Sequence, residues 1–307
     1  MIIFDSLDKV ENLEKSIVAL GNFDGVHLGH QALIRKAKAI ADENGYKVAV
    51  FTFSNHPKNF MKGVDNVKNI IYQDEKAGLL EDLGVDYLVN IEFNEEIMTM
   101  PAKDFVEKLL FQKLNAGGLV CGFNYRFGHM AKGDTKFLQE KCDELGIILE
   151  VISPVEIDDA VVSSTLIRGL IKAGEMEDVK AFLGRNYDIE GEVVVGNKLG
   201  KSIGFPTSNI TLDEEMVSPP NGVYITYCIY NGRMYPSITN VGVKPTIGEF
   251  KKNMETHIFN FDRELYGKKI RIVFIKKTRD EVKFSRIDEL VEQIRKDCEN
   301  AKEYHNI

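Results

Sequence analysis

The sequence contains little cysteine, no long apolar segment and no excess of basic residues. Its four cysteines lie far apart without a C-x-x-C pair, which argues against a zinc cluster and a disulfide framework. No apolar run approaches the roughly 18 residues of a membrane span. The acidic N-terminus does not resemble a signal peptide, so we expect a cytoplasmic protein without a membrane partner. The net charge of −8 is unlike the basic surface of nucleic-acid binders, so we expect no nucleic-acid partner.

The length of 307 residues corresponds to about two domains. In residues 1–185, apolar segments alternate about five times with helical periodicity, which predicts a doubly wound parallel sheet with helices on both faces. The expected strands are Ser16–Leu20, Lys47–Phe53, Tyr87–Ile91, Leu119–Cys121 and Ile147–Val151. The expected helices are His30–Asn44, Asp74–Leu83, Pro101–Asn115 and Asp134–Leu145.

Residues 186–307 show a different pattern, because strand-like segments follow one another with only turns between them. Asn231-Gly232, between two β-rich segments, is typical of a tight hairpin. Such a series predicts an antiparallel β-barrel, and helical periodicity over Ser285–Glu303 predicts a terminal helix. The expected strands are Ile189–Val195, Gly222–Tyr230, Arg233–Val241, Thr256–Phe261 and Lys268–Ile275. The predicted fold class is therefore α/β followed by all-β.

A glycine-rich turn joins the first predicted strand to the first helix, with the sequence G-N-F-D-G-V-H-L-G-H at residues 21–30. The N–H groups and positive dipole end of a helix N-terminus bind phosphate, and glycines let the backbone approach it. His27 and His30 can converge on one phosphoryl group and stabilise the charge that develops on it, which makes them candidate catalytic residues. The phosphate-binding candidates of the turn are Gly21, Phe23, Asp24, Gly25 and Gly29.

The H-x-G-H element in this context resembles the nucleotidyltransferase superfamily, whose members attack the α-phosphate of a nucleoside triphosphate and release pyrophosphate. V-S-S-T-L-I-R at residues 162–168 fits a second element of that superfamily, since hydroxyls cap a helix and arginine holds phosphates bidentately. Its phosphate-binding candidates are Ser163, Ser164, Thr165 and Arg168. Class I aminoacyl-tRNA synthetases share H-x-G-H, but the sequence has neither their K-M-S-K-S-type loop nor a basic composition for binding tRNA.

Two further segments follow predicted strands, where a planar ligand can stack on aromatic side chains. They are F-S-N-H-P at residues 53–57 and C-G-F-N-Y-R-F-G at residues 121–128. Together with the first two elements, they resemble the adenylyltransferase half of bacterial bifunctional FAD synthetases. The flavin-binding candidates implied by this resemblance are Phe53, His56, Pro57, Asn124, Tyr125 and Arg126.

The second half contains a glycine-rich segment, G-N-K-L-G-K-S at residues 196–202. It is one residue short of a Walker A loop and lies in an all-β region, so we do not expect a P-loop fold. The following G-F-P-T-S-N resembles the G-F-P-T-A-N signature of riboflavin kinases, with Ser208 in place of alanine. That resemblance implies that Thr207 and Asn209 hold ATP and its magnesium ion. The further ATP-binding candidates are Gly196, Lys201 and Gly204.

A later segment, M-E-T-H-I-F-N-F-D at residues 254–262, resembles the stretch of these kinases that carries the catalytic glutamate, here Glu255. A carboxylate base would accept the proton of the terminal ribityl hydroxyl as this oxygen attacks the γ-phosphate. Closer to the C-terminus, Arg279 and Arg286 are candidates for flavin binding.

The resemblance extends from about residue 15 to residue 303. It implies an FMN adenylyltransferase domain at 1–185 and a riboflavin kinase domain at 186–307, acting on riboflavin, FMN, FAD and ATP. Mg²⁺ is expected with ATP, and no tightly bound prosthetic group is required. Self-association is left open. Two alternatives also stay open: a nucleotidyltransferase with a pantetheine- or nicotinate-type substrate, which leaves the barrel unexplained, and a non-enzymatic flavin sensor.

Overall fold

The computed structural model describes residues 1–60, 66–196, 200, 203–246 and 249–307. The chain forms two compact units, Met1–Ser164 and Thr165–Ile307. Within the described residues, no helix has both the length and the apolar character needed to cross a bilayer.

The first unit contains a six-stranded parallel sheet. Its strands are β1 (Ile2–Phe4), β2 (Ser16–Leu20), β3 (Lys47–Phe53), β4 (Tyr87–Ile91), β5 (Ala116–Gly122) and β6 (Ile148–Ile152). The spatial order is β1-β4-β3-β2-β5-β6. Every residue of β2 is buried, as expected for a central strand covered on both faces. The order reverses between β2 and β5, and ligands of such sheets bind beyond the strand ends at this point.

The helices of this unit alternate with the strands, as the apolar periodicity predicts. They are α1 (Leu28–Asn44), α2 (Gln73–Asp82), α3 (Glu95–Thr99), α4 (Ala102–Asp104) and α5 (Thr135–Leu145). The helix predicted at Pro101–Asn115 is present in two parts, because α4 continues as a π-helical segment, Phe105–Lys113. Its buried apolar residues suit both helix types, so the sequence pattern does not distinguish them. A small hairpin, β7 (Glu156–Ile157) and β8 (Ala160–Val161), follows the sheet.

The second unit begins with two helices, α6 (Ser164–Ala173, whose first residue closes the first unit) and α7 (Met176–Leu183). Six antiparallel strands then form a closed barrel in the order β10-β13-β12-β11-β14-β9. They are β9 (Asp188–Val194), β10 (Ser208–Thr211), β11 (Gly222–Tyr230), β12 (Arg233–Thr246), β13 (Glu249–Ile258) and β14 (Lys269–Arg279). The terminal helix is α8 (Ile287–His305).

The barrel and its hairpin follow the sequence prediction, whereas several strand bounds differ. Asn231 and Gly232 both have positive φ, at 49° and 71°, as a tight hairpin turn requires. The strand predicted at Thr256–Phe261 instead ends at Ile258, because Asn260 adopts a left-handed φ of 54°. The short polar strand β10 was not predicted.

The helices α6 and α7 belong to the barrel unit by their contacts. Glu177 of α7 pairs with Lys276 of β14 at 3.3 Å between Oε2 and Nζ. The domain boundary expected at residues 185 and 186 stays a prediction, and the separation in the structure falls earlier, after Ser164.

The interior of the barrel contains a chain of buried hydroxyl groups. Thr226 Oγ1 lies 2.8 Å from both Ser237 Oγ and Thr239 Oγ1, and Thr239 Oγ1 lies 2.8 Å from Thr256 Oγ1. All four side chains are fully buried. Because buried hydroxyls without partners are costly, this chain should contribute measurably to barrel stability.

Replacing Thr226 with valine keeps the side-chain shape but removes the hydroxyl between Ser237 and Thr239. We expect the free energy of unfolding of the barrel to fall by about 1–3 kcal/mol, since two buried hydroxyls lose a partner. Urea unfolding of the full chain measures this change. Thr211→Val, at an exposed position of β10, should change stability by less than about 0.5 kcal/mol. Equal effects of the two substitutions would contradict the role of the hydroxyl chain.

Candidate active sites

The turn after β2 is held in an unusual backbone conformation. Phe23, Gly25 and Val26 have φ of 49°, 87° and 40°, in the left-handed region that favours glycine. His27 is the N-cap of α1, and its Nδ1 accepts a hydrogen bond from the backbone N–H of His30 at 3.3 Å. The turn therefore places the N-terminus of α1 directly beyond the end of β2.

The two histidines of the turn stack on each other. Their ring centroids lie 3.7 Å apart with an interplanar angle of 14°. Because His27 Nδ1 accepts a hydrogen bond, the neutral ring carries its proton on Nε2, which makes this nitrogen a donor. Both rings line a cavity of about 350 Å³, called the smaller cavity below.

The smaller cavity brings together the two predicted nucleotidyltransferase elements. Besides the histidines, Gly21, Gly29, Ser163 and Ser164 line it. Ser164 Oγ donates to the carbonyl of Asp24 at 2.8 Å, which ties the start of α6 to the glycine turn. Thr165 and Arg168 lie further along α6, in the second unit, and Arg168 is buried. Their contact with phosphates stays a prediction.

A larger cavity of about 900 Å³ lies in the same unit and has aromatic walls. Its aromatic lining residues are Phe51, Phe53, Phe93, Phe105, Tyr125 and Phe127. Phe53 packs edge-on against Phe51 and Phe93, with centroids 5.4 and 5.1 Å apart. The predicted flavin residues His56, Pro57, Asn124 and Arg126 line it as well. The volume of the larger cavity and its aromatic walls suit a planar ligand of several fused rings.

The two cavities share one wall. It consists of Gly21, Asn22, Asn124, Tyr125 and Arg126. Burial raises the pKa of the Tyr125 phenol well above its ordinary value, so its hydroxyl stays neutral and able to donate. Each cavity is therefore bounded in part by the same five residues.

The larger cavity is basic, although the chain is acidic overall. Lys58, Arg126, His56 and His129 line it, and its described lining residues include no aspartate or glutamate. Lys58 and Arg126, the second of which also pairs with Asp134 at 3.2 Å, therefore favour an anionic ligand in this cavity.

Two residues predicted to bind ATP or its phosphates support the glycine turn. Phe23 is completely buried, and a Cβ on Gly21 would lie 3.2 Å from its ring. Asp24 is also buried, and its Oδ1 accepts the backbone N–H of Ile70 at 2.9 Å. Neither residue lines the smaller cavity. A direct contact of either with ATP stays a prediction.

The barrel has its own cavity of about 250 Å³, which lies against α8 and is called the barrel cavity below. The predicted base Glu255 lines it together with Thr207 and Arg279. Asn209 and Asn240 lie opposite Glu255 in the neighbouring strands β10 and β12. The barrel therefore brings the three predicted kinase residues together. Asn209 lies in β10, Glu255 lies in the adjacent strand β13, and Thr207 directly precedes β10.

Two glycines of the 196–202 segment lie against the P-T-S-N segment. A Cβ on Gly196 would come within 2.5 Å of Asn209 Nδ2, and one on Gly200 within 2.3 Å of the Phe205 carbonyl. Gly204 has φ of 90°, which favours glycine for its backbone alone. Lys201, a predicted ATP ligand, lies outside the described residues. The absence of a side chain at Gly196 and Gly200 therefore lets the backbone lie close to Asn209 and Phe205.

The two predicted flavin arginines have different surroundings. Arg279 forms a bidentate pair with Asp297 of α8, with Nη2 to Oδ2 at 2.6 Å, and Gln293 donates to the same carboxylate at 2.9 Å. This network closes one side of the barrel cavity. Arg286 precedes α8, is exposed and pairs with Asp288. It is not among the lining residues of the barrel cavity, and its flavin contact stays a prediction.

The structure adds two residues that the sequence analysis did not select. His257 lines the barrel cavity two residues after Glu255, and its Nδ1 donates to the Pro206 carbonyl at 2.8 Å. Burial lowers the pKa of His257 below its ordinary value, which favours the neutral ring. Lys76 of α2 is buried, and its Nζ donates to the Phe53 carbonyl at 3.0 Å. His257 could have been found from the sequence, because residues i and i+2 of a strand face the same side and Glu255 is two positions away. No sequence pattern marked Lys76 as part of a site.

The comparisons with known proteins agree with this division into two sites. Residues 9–166 match the family model for FAD synthetase, and residues 183–305 match the model for riboflavin kinase. A relative from Bacillus subtilis, named bifunctional riboflavin kinase/FMN adenylyltransferase, is 37% identical over 96% of this chain and 94% of its own length. This chain belongs to the bifunctional riboflavin kinase/FMN adenylyltransferase family. The family resemblance and the fold class inferred from the sequence are thereby confirmed.

Other members of the bifunctional riboflavin kinase/FMN adenylyltransferase family show comparable similarity. The relative from Haemophilus influenzae is 34% identical over 96% of both chains, and that from Escherichia coli K12 is 31% identical over 96% of this chain and 94% of its own. Both halves of the family use ATP.

The two family models leave most of α6 and α7 unmatched, because the first ends at residue 166 and the second begins at residue 183.

A solved structure shares the whole fold of this bifunctional riboflavin kinase/FMN adenylyltransferase family member. It is a crystal structure described as a macrolide-efflux protein from Streptococcus pneumoniae, with a TM-score of 0.91 and 29% identity over 98% of both chains. Its description refers to efflux, whereas both family models and the three relatives above are named for flavin chemistry. The similarity shows that the Streptococcus pneumoniae protein has the same fold as this chain.

Proposed function

We propose that the chain makes FAD from riboflavin in two ATP-dependent steps at two separate sites. The barrel transfers the γ-phosphoryl group of ATP to riboflavin and gives FMN. The first unit transfers the adenylyl group of a second ATP to FMN and releases pyrophosphate. The observation that carries the proposal is that each matched family region contains its own cavity, one with the His27–His30 pair and the other with Glu255.

In the adenylylation step, the smaller cavity takes the triphosphate and the larger cavity takes FMN. The isoalloxazine ring stacks on the aromatic walls, and Lys58 and Arg126 attract the FMN phosphate. An oxygen of that phosphate attacks the α-phosphorus of ATP, the bond to the bridging oxygen breaks, and pyrophosphate leaves. His27 and His30, at the N-terminus of α1, stabilise the negative charge that develops on the transferring group.

The departing pyrophosphate requires further donors. Ser163 and Ser164 line the smaller cavity and supply hydroxyl groups. Thr165 and Arg168 supply the remaining contacts in this proposal, because a guanidinium group binds phosphate oxygens bidentately.

In the kinase step, Glu255 is the general base. It accepts the proton of the terminal ribityl hydroxyl while this oxygen attacks the γ-phosphorus, and ADP leaves with the bridging oxygen. Thr207 and Asn209 position ATP, with Gly196, Lys201 and Gly204 near its phosphates. Arg279 forms part of the cavity wall against the flavin.

The oxygen donors of the barrel cavity suit Mg²⁺ that enters with ATP. Magnesium prefers oxygen ligands and is usually bound through substrate phosphates and one or two protein groups. Thr207 lines the barrel cavity and would supply a hydroxyl oxygen, and Asn209 would supply an amide oxygen. Within the described residues, no cluster of three or more histidine, cysteine, aspartate or glutamate side chains could hold a metal on its own. Magnesium is therefore proposed as part of the substrate Mg-ATP.

Incubation of the purified chain with riboflavin, ATP and Mg²⁺, followed by chromatography of the flavins, tests the function. We expect FMN to appear first and FAD to follow, with one ADP and one pyrophosphate per FAD. Chelation with EDTA should stop both steps, and excess Mg²⁺ should restore them. Unchanged riboflavin from folded protein would refute the proposal.

The same assay distinguishes the alternatives. Release of pyrophosphate from ATP and a pantetheine- or nicotinate-type substrate, without flavin conversion, would favour a different nucleotidyltransferase. Tight binding of flavin without consumption of ATP would favour a sensor.

A further inference from the structure

Lys76 is a buried lysine whose role the proposed function does not include. Its side chain is 3% exposed and lies on the first turns of α2. Burying an ammonium group is costly unless nearby groups compensate for the lost water. Burial lowers the pKa of Lys76 to about 8, and the negative charge of Asp24 opposes this shift. An apolar residue of similar volume would avoid that cost, so the presence of lysine requires an explanation.

The contacts of α2 and the segment before it connect the two loops of the N-terminal site. Lys76 Nζ donates to the carbonyl of Phe53, whose ring forms part of the larger cavity. Gln73 Nε2 donates to the next carbonyl, that of Ser54, at 2.6 Å. Just before α2, the backbone N–H of Ile70 donates to Asp24 Oδ1 at 2.9 Å. One segment therefore fixes both the end of β3 and the glycine turn.

The charge of Lys76 also has a counterpart in the glycine turn. Asp24 lies three residues before His27, and its carbonyl accepts the hydroxyl of Ser164, which lines the smaller cavity. The negative charge of Asp24 opposes the binding of phosphates in this cavity, and the positive charge of Lys76 reduces that repulsion. Lys76 and Asp24 line the same small polar cavity, of about 10 Å³, together with His56 and Asn22. That volume is too small for a phosphate group, so Lys76 acts on the site indirectly.

We propose that Lys76 is a positioning residue of the adenylyltransferase site, which holds the flavin-binding end of β3 against the glycine turn and balances the Asp24 carboxylate of that turn. The proposal rests on the proposed function. Among the described residues, Asp24 from the turn after β2 and His56 from the loop after β3 line the same small cavity as Lys76, and Asp74 and Glu75 lie on the first turn of its own helix.

The test compares Lys76→Met and Lys76→Arg in the full chain, with Lys103→Met as an exposed lysine control in the same unit. Lys76→Met should lower kcat for conversion of added FMN to FAD by roughly 10- to 100-fold, because reacting groups lose their alignment. Lys76→Arg should recover most of the rate, since it keeps the charge and a donor. The Lys103→Met variant and the kinase activity of all three variants should match the unaltered chain.

The pH profile separates positioning from a purely structural role. Adenylylation by the unaltered chain should decline above about pH 8 as Lys76 loses its proton. This decline should be absent from Lys76→Met and should move to higher pH in Lys76→Arg. Lys76→Met leaves the Phe53 carbonyl without this donor, so its melting temperature should fall modestly while the kinase rate of the barrel is retained.

Three results would overturn the inference. They are unaltered adenylylation kinetics of Lys76→Met, an unchanged pH profile in both variants, and a joint loss of melting temperature and of both activities. The proposed function fails separately, because it requires only that the unaltered chain form FAD.

Discussion

Glu255→Gln is expected to abolish FMN formation from riboflavin while FAD formation from added FMN continues. Glutamine keeps the size of the side chain, but it does not accept a proton from the ribityl hydroxyl. Since a positioned general base contributes about 10²- to 10⁴-fold, kcat of the kinase should fall by that factor. Separate assays with riboflavin and with FMN, each followed by flavin chromatography, measure the two activities in one preparation.

The adenylyltransferase activity of the same variant is its folding control, because that site lies in the other unit. Glu264→Gln is a matched substitution of an exposed glutamate after β13 and should leave both rates unaltered. Kinase turnover by Glu255→Gln at the unaltered rate would exclude Glu255 as the base. Loss of both activities from folded protein would contradict the assignment of separate sites.

His30→Ala should produce the opposite pattern, with FMN accumulating from riboflavin and almost no FAD. The substitution removes one of the two stacked imidazoles that face the smaller cavity. Loss of one group that stabilises transition-state charge typically lowers turnover by about 10²- to 10³-fold. Time courses of FMN and FAD, together with release of pyrophosphate, quantify the loss.

The kinase rate of His30→Ala reports whether the chain is folded. Lys38→Ala alters an exposed residue of the same helix and should retain both activities. If His30→Ala formed FAD at the unaltered rate, the histidine pair would have no part in catalysis.

Four strands could be predicted to the residue, whereas the central strand β5 is longer at both ends than the predicted Leu119–Cys121. The bounds of β2, β3, β4 and β11 agree with the sequence because each is a short apolar segment between polar residues or turns. The strand β10 was missed because its residues are mostly polar and its pairing with β13 and β9 is not local. The π-helical segment after α4 was missed because its hydrophobic pattern also fits an α-helix.

The site could be predicted where chemistry follows a local motif. The structure brings His27, His30 and Ser164 to one cavity, and Thr207 and Glu255 to another. Lys76 was not found because Q-D-E-K at the start of a helix is typical of a solvent-exposed turn, and only the fold buries it. In the same way, burial of Asp24 could not be read from the motif, because it depends on Ile70, which lies 46 positions later.

The wall shared by the smaller and larger cavities has a consequence for affinity. Asn124, Tyr125 and Arg126 face both spaces, so ordering them for one ligand changes the free energy of binding the other. By thermodynamic linkage, nucleotide and flavin must then alter each other's dissociation constants by the same factor. An inhibitor that occupies only the larger cavity would therefore change the dissociation constant of the nucleotide, although it contacts no phosphate group.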